Sequence, residues 1–221
     1  MITRKQDLVD CIRMLERAGC IDHNGHCSLQ RDDTSLWINS GASVRSRLTI
    51  ADIVAIDLDG NQVEGGQPPP LEYHIHTEIY RVRPDVRAIA HTHPKWSTYL
   101  TMTGHRLQPV YAQGTLVSDS PVVDTPMSVN TKPMGERVAR ELGDKPAALL
   151  KAHGVVAVGA EIVECFALAV YVEENAERQY MAMRIGAPYE FSAEEQRACR
   201  EKLWKPALFR KTWDYYRAKL D

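Results

Sequence analysis

The sequence predicts an α/β fold in which helices pack on the faces of a mixed or antiparallel central sheet. Three observations carry that class. Helical stretches recur along the chain, the clearest with an apolar face near the N-terminus. Short apolar or alternating runs of strand length lie between them, bounded by Gly, Pro and Asp. No internal repeat, low-complexity tract or long linker divides the 221 residues, and an apolar fraction of 44% supplies a core, so residues 1–221 read as one domain.

Taken in order, Leu8, Cys11, Ile12, Leu15 and Ala18 follow the i, i+3, i+4, i+7 spacing of an amphipathic helix, and Gly19 stands where its C-terminal cap falls. Polar turn residues His23-Asn24-Gly25-His26 come next. Short alternating segments follow, of which 35–38 reads as a strand. Residues 53–58 read as another strand, turning at Asp59-Gly60 into Gln62-Val63-Glu64 as a hairpin. Gly65-Gly66 and Pro68-Pro69-Pro70 then open a helix over about 71–82, with Leu71, Ile75 and Ile79 as its buried stripe. Residues 86–93 read as a core strand ending at Pro94, which starts a helix carrying Trp96, Tyr99 and Leu100. Residues 109–111 and 121–123 look like strands, 134–142 like a helix, and 147–158 like a strand pair interrupted at His153-Gly154. A long helix over about 162–184 precedes a tail with Trp204, Phe209, Trp213, Tyr215 and Tyr216.

Several function classes are excluded at this level. With 27 Lys+Arg against 29 Asp+Glu the formal charge is −2, which gives no basic footprint for nucleic acid. No apolar run reaches the roughly eighteen residues of an ordinary membrane-spanning helix. Asp7, Asp10 and Glu16 interrupt the stretch where a secretory signal needs an apolar core, so a cytoplasmic location is expected. The five cysteines (Cys11, Cys20, Cys27, Cys165, Cys199) include no C-x-x-C pair and read as reduced, mostly buried thiols.

The histidines carry the chemistry. His91 and His93 are two apart on a strand, so the two-residue period turns both imidazoles to one face at the strand end. That spacing suits two ligands on one metal, and equally a core or solvated histidine pair. Glu72 falls in the first turn of the preceding helix with His76 one turn on, where a carboxylate also complements the helix dipole. His153 interrupts an apolar run and needs a partner for its ring nitrogens, either a hydrogen-bonding group or a metal. Three neutral imidazoles on a divalent ion leave it an open position, the profile of a catalytic site.

Glu72, then His91-Thr92-His93 nineteen residues on, then Lys151-Ala152-His153-Gly154, together resemble the class II aldolase/adducin family, from the first helix through the helix after His153. The resemblance implies a three-layer α/β/α fold with a mostly antiparallel central sheet. It implies one divalent metal ion per chain, Zn²⁺ or Mn²⁺ with Co²⁺ and Fe²⁺ also compatible, held by His91, His93 and His153. Glu72 would be the acid/base and in some states a fourth ligand. The resemblance further implies a homotetramer with sites at subunit interfaces, where Tyr111 assists a neighbour's site.

The chain departs from the sugar-phosphate aldolases of that family where they grip phosphate. Ser40-Gly41 is retained, the family's Gly-Asn pair is Gly25-His26, and its two serines before the glutamate are Pro70-Leu71. Pro70 has no N–H and neither side chain donates. The segments around Gly25-His26-Cys27-Ser28 and Pro69-Pro70-Leu71-Glu72 instead resemble the decarboxylase branch, which acts on hydroxylated aromatic or pyridine dicarboxylates. Substrate contacts are expected from His26, Ser40, Gly41 and Arg45, with Arg47 a second cationic candidate; loop arginines are also often only solvated charges. The expected activity is a metal-dependent carbon–carbon lyase, a decarboxylase first. An aldolase for a non-phosphorylated hydroxy-keto substrate comes second, ahead of a non-haem iron oxygenase or a non-catalytic adducin-like module.

Overall fold

The structure, a computed structural model, describes residues 2–220. Helix α1 (Ile2–Arg17) buries Leu8, Cys11, Ile12 and Leu15 completely, and Gly19 follows it at φ +72°, a conformation that a Cβ disfavours. Among the described residues eight strands follow: β1 (His26–Asp32), β2 (Ser35–Asn39), β3 (Ile53–Asp57), β4 (Gln62–Glu64), β5 (Ala88–Thr92), β6 (Val122–Val123), β7 (Ala147–Leu150) and β8 (Gly154–Gly159). They form one sheet in the order β4-β3-β2-β1-β5-β8-β7-β6. Every pairing is antiparallel except β6 with β7.

Alternation along the strands buries both faces of this sheet. Ala88 and Ala90 of β5, with Val155 and Ala157 of β8, join a core with Leu8 of α1 and Phe166 of α5 (Ile162–Ile185). Ile89, Val156 and Val158 turn the other way, toward Ile75 and Ile79 of α2 (His74–Val82) and Val138 and Leu142 of α4 (Lys132–Leu142). Helix α3 (Lys95–Met102) adds Leu100 to the first core. The result is the expected three-layer α/β/α arrangement with a mostly antiparallel sheet. No described helix is long and apolar enough to cross a membrane. Four of the five free cysteines are buried, Cys199 partly so.

Three local expectations are corrected, and the tail, for which the sequence offers no element, takes a defined form. His26 opens β1 rather than closing a turn, and it lies opposite His91 across the β1–β5 pairing. Helix α2 starts at His74, not near Leu71. The prolines lead into a turn closed by Tyr73 N–H on the Pro70 carbonyl (3.2 Å), and Leu71 is 77% exposed while its neighbour Glu72 faces inward. Residues 109–111 form no strand, because buried side-chain amides of α5 take the place of a partner strand. Asn175 accepts from Val110 N–H (3.0 Å) and donates to the Gln108 carbonyl (2.7 Å), and Gln179 accepts from Gln108 N–H (2.9 Å). The aromatic tail is helical. A Ser192/Glu195 capping box opens α6 (Ala193–Leu203), Pro206 opens α7 (Pro206–Arg217), and Phe209 and Trp213 of α7 are buried in the first core.

Candidate metal centre

The ligand set is assembled at the C-terminal end of β5. His91 is fully buried, and its Nδ1 lies 3.1 Å from the Val155 carbonyl of β8. His93, just beyond the strand, places Nδ1 2.9 Å from Asp22 Oδ1. His153 arrives from the three-residue turn between β7 and β8. That turn holds Ala152 at φ +53°, and its last neighbour, Gly154, packs so tightly on β5 that a Cβ there would fall 2.2 Å from the Thr92 carbonyl oxygen. A side chain at 154 would push His153 off the cluster. Glu72 is held by the Val129 N–H, which donates to its Oε1 at 2.7 Å.

The four ligand atoms of Glu72, His91, His93 and His153 all lie within 4.8 Å of one another. His91 Nε2 is 3.0 Å from His93 Nε2 and 3.5 Å from Glu72 Oε2, and His153 Nε2 is 3.5 Å from Glu72 Oε1. Tetrahedral ligands at a zinc–nitrogen distance of about 2.0–2.1 Å stand roughly 3.3 Å apart, so these separations bracket what one ion needs.

The donor set passes a stricter test. A carbonyl and a carboxylate only accept hydrogen bonds, so Nδ1 of both His91 and His93 carries the proton. Their Nε2 lone pairs then face each other at 3.0 Å, a juxtaposition that a cation held by both relieves. A further proton is disfavoured at His93, where burial and the facing His91 push the pKa down to about 4. Burial pushes the Glu72 carboxyl up, but the facing His153 and His91 and the Val129 N–H outweigh it and hold the group well below the usual carboxylate range. Two carboxylates, Glu72 and Asp22, thus face three imidazoles, a donor set that fits a divalent ion. The Asp22 contact is of the kind that orients metal-bound histidines.

A cavity of about 570 Å³ opens beside the cluster, with Asn24, His26, Gly41, Arg45, Glu72 and His153 on its wall. His26 Nε2 lies 4.0 Å from Glu72 Oε2. Ser40 is buried next to the wall with its hydroxyl unpartnered among the described residues. Arg45 is no solvated loop charge. It is 4% exposed, and its guanidinium donates to the carbonyls of Gly25 (2.8 Å), Asn24 and Gly41 (3.3 Å each) and Ser43. It ties the 24–25 and 41–43 loops together while keeping a positive charge at the cavity. Arg47 is exposed. Tyr111 is not on this wall: its hydroxyl donates to Glu174 at 3.2 Å, and Arg178 stacks 4.4 Å from its ring centre.

Asp22 and Val129 also contact the cluster, and no short motif points to them, whereas His76 stands in the sequence one turn after Glu72. Asp22 lies 71 residues from the histidine it orients. Only its position before the polar Asn24-Gly25 turn, which its side chain caps by accepting from both N–H groups, is a local signal.

Comparison with known proteins agrees with this geometry. Residues 6–180 match the family described as Class II Aldolase and Adducin N-terminal domain. The chain is 27% identical over 173 residues to an L-fuculose phosphate aldolase of Methanocaldococcus jannaschii, covering 78% of this chain and 93% of that protein. It is 28% identical over 179 residues to a 3,4-dihydroxyphthalate decarboxylase of Arthrobacter keyseri, covering 74% and 72%. The solved structure of an L-fuculose 1-phosphate aldolase superposes with a TM-score of 0.83 at 25% identity, over 91% of this chain and 96% of that one. The chain belongs to the class II aldolase/adducin family, with aldolases and decarboxylases both among its relatives.

Proposed function

We propose that this chain is a metal-dependent carbon–carbon lyase that decarboxylates a hydroxylated aromatic or related (di)carboxylic acid. The observation that carries this reading is an intact Glu72/His91/His93/His153 cluster beside a cavity whose rim, at Pro70-Leu71, offers no side-chain phosphate donor. Each missing charge-assisted bond is worth about 1.5–3 kcal/mol. Two together weaken phosphate binding by roughly a hundredfold or more.

His91, His93 and His153 would hold the ion, with Zn²⁺ or Mn²⁺ the first candidates and Co²⁺ or Fe²⁺ compatible with the same donors. When bound, a divalent ion supplies Lewis acidity that stabilises the electron pair left on carbon. The protein's own groups do the rest. Glu72, kept anionic, takes the proton of the substrate hydroxyl. As the bond to the carboxylate breaks and CO₂ leaves, the electron pair stays on the ring carbon that bore the carboxylate. Glu72 delivers the proton to that carbon, and the substrate oxygen is left as an anion that regains a proton from solvent. Arg45 and the Ser40-Gly41 loop attract and seat a carboxylate. A homotetramer in which Tyr111 of one chain reaches another chain's cavity completes the proposal.

The experiment is a paired assay of the metal-loaded protein. Release of CO₂ from 3,4-dihydroxyphthalate, with slow or no cleavage of L-fuculose 1-phosphate, is expected. Rapid aldehyde release from the sugar phosphate, with no CO₂ from hydroxylated aromatic acids, would place the chain with the aldolases instead.

A further inference from the structure

Behind the metal cluster four polar side chains join end to end. The Tyr80 hydroxyl is 2.9 Å from Ser28 Oγ, Ser28 Oγ is 2.7 Å from His76 Nδ1, and His76 Nε2 is 2.7 Å from His26 Nδ1. All four side chains are buried, none more than 5% exposed. The free end is His26 Nε2, which has no hydrogen-bond partner among the described residues and sits on the cavity wall 4.0 Å from Glu72 Oε2.

With both rings neutral and the buried Ser28 hydroxyl, which has no other partner among the described residues, spending its proton within the row, the row can run in only two directions. In one, Tyr80 donates to Ser28, Ser28 to His76 Nδ1 and His76 Nε2–H to His26 Nδ1, leaving Nε2–H of His26 facing the cavity. In the other, every donor reverses and His26 turns a lone pair toward the Glu72 carboxylate. Both ends favour the first direction. Reversal leaves the Tyr80 proton only the Arg87 carbonyl, at 3.4 Å, beyond good O–H···O length and already occupied by Gln30 N–H at 2.9 Å. At the cavity end an N–H, not a lone pair, is attracted by the Glu72 anion.

We infer that His26 presents Nε2–H to the cavity as a fixed hydrogen-bond donor for an anionic oxygen of the substrate, and that His76, Ser28 and Tyr80 are positioning residues that hold it in that tautomer. A buried N–H is rarely left without an acceptor, and Glu72 Oε2 lies beyond hydrogen-bond reach, so the acceptor is an oxygen that enters with the ligand. Under the proposed function that oxygen belongs to a carboxylate; a phosphate oxygen would offer the same chemistry. The acceptor's identity rests on the proposed function, and the tautomer does not.

Nitrogen-15 NMR of histidine-labelled, zinc-loaded full-length protein reads the tautomer directly, with His26→Gln assigning the signal by its loss. The Nε2–H pattern is expected for His26 in the wild type. Tyr80→Phe and Ser28→Ala, which each remove one link, are expected to shift it toward the Nδ1–H form. An Nδ1–H pattern in the wild type, or a pattern unmoved in both variants, overturns the positioning row. Calorimetric titration with 3,4-dihydroxybenzoate and with inorganic phosphate then identifies the acceptor. His26→Ala should weaken dihydroxybenzoate binding about tenfold, the worth of one hydrogen bond to a charged group. His26→Gln, which keeps an N–H, should restore most of it. A loss confined to phosphate overturns the carboxylate assignment. Wild-type protein that binds neither probe yet keeps the Nε2–H pattern overturns the proposed function and leaves the donor standing.

Discussion

At the scale of single residues, the cluster's histidines and its carboxylate have separable duties. His93 reaches the site from just past the strand end, 14% exposed at its side chain, so its loss would remove a proposed ligand without opening the core. His93→Ala should yield folded protein without bound metal, checked by elemental analysis against a melting curve; full occupancy in that variant would remove His93 from the ligand set. Glu72 lies outside α2 and outside both apolar cores, so Glu72→Gln keeps an acceptor for the Val129 N–H and should fold normally. Turnover should fall at least a hundredfold, within the typical range for a proton-transfer group, at nearly unchanged melting temperature. Wild-type turnover would exclude the assigned role. His76 sets a pH dependence. Burial and the facing His91 push its pKa from the ordinary 6.5 down to about 3, so the unfolded chain binds more protons than the folded one between those values. Its contribution to stability is therefore complete above pH 6.5 and is lost as pH falls toward 3. Urea midpoints should drop between pH 7 and 5 more steeply in the wild type than in His76→Gln, and equal slopes would show that His76 is not buried neutral.

At the scale of elements, the tail is part of the core although it follows the 6–180 span of the family match. Trp213 of α7 is 3% exposed and meets the Phe166 ring edge-on at 5.4 Å between centroids. Trp213→Ala should cost about 3–5 kcal/mol. That lowers the melting temperature by roughly ten degrees in a chain of this size, and an unchanged melting curve would mean that α7 is dispensable. Elements whose signal is local were legible in the sequence. The spacing of α1, the Asp59-Gly60 hairpin and the apolar β7–β8 pair each carry their pattern within a few residues. The 109–111 segment defeated the same logic, since its backbone pairs with the side chains of Asn175 and Gln179, more than sixty residues away. Leu71 misled because an apolar residue in register with Ile75 and Ile79 looks buried, while the proline-led turn gives the inward position to Glu72. The histidines of the cluster stood out locally, as H-x-H near a strand end and as His153-Gly154 breaking an apolar run, but their union with Glu72 in one site was legible only through the family resemblance. Asp22 and the row from Tyr80 to His26 were not legible, because they exist only once β1, α2 and β5 meet.

At the scale of the whole molecule, the position of Tyr111 bears on how many chains make one site. Its hydroxyl is tied to Glu174 of α5 and its ring lies under Arg178, away from the cavity that holds Glu72 and His153. A tyrosine so placed assists a site only if that site belongs to another chain, which is what the proposed tetramer requires. Exposed apolar side chains on α3 and on the end of α5, Tyr99, Met102, Met183 and Ile185, give such an assembly surface to cover. Sedimentation should therefore give a multiple of the monomer mass, and a mixing experiment tests the shared site. His93→Ala lacks a ligand but offers a sound Tyr111, whereas Tyr111→Phe has a complete ligand set but no hydroxyl to lend. Each alone should be impaired. Unfolding and refolding them together creates sites with an intact His93 facing a neighbour's intact Tyr111, so the mixture should exceed the mean activity of the two parents. A fully active monomer, or a mixture no better than that mean, would confine the catalytic groups to one chain.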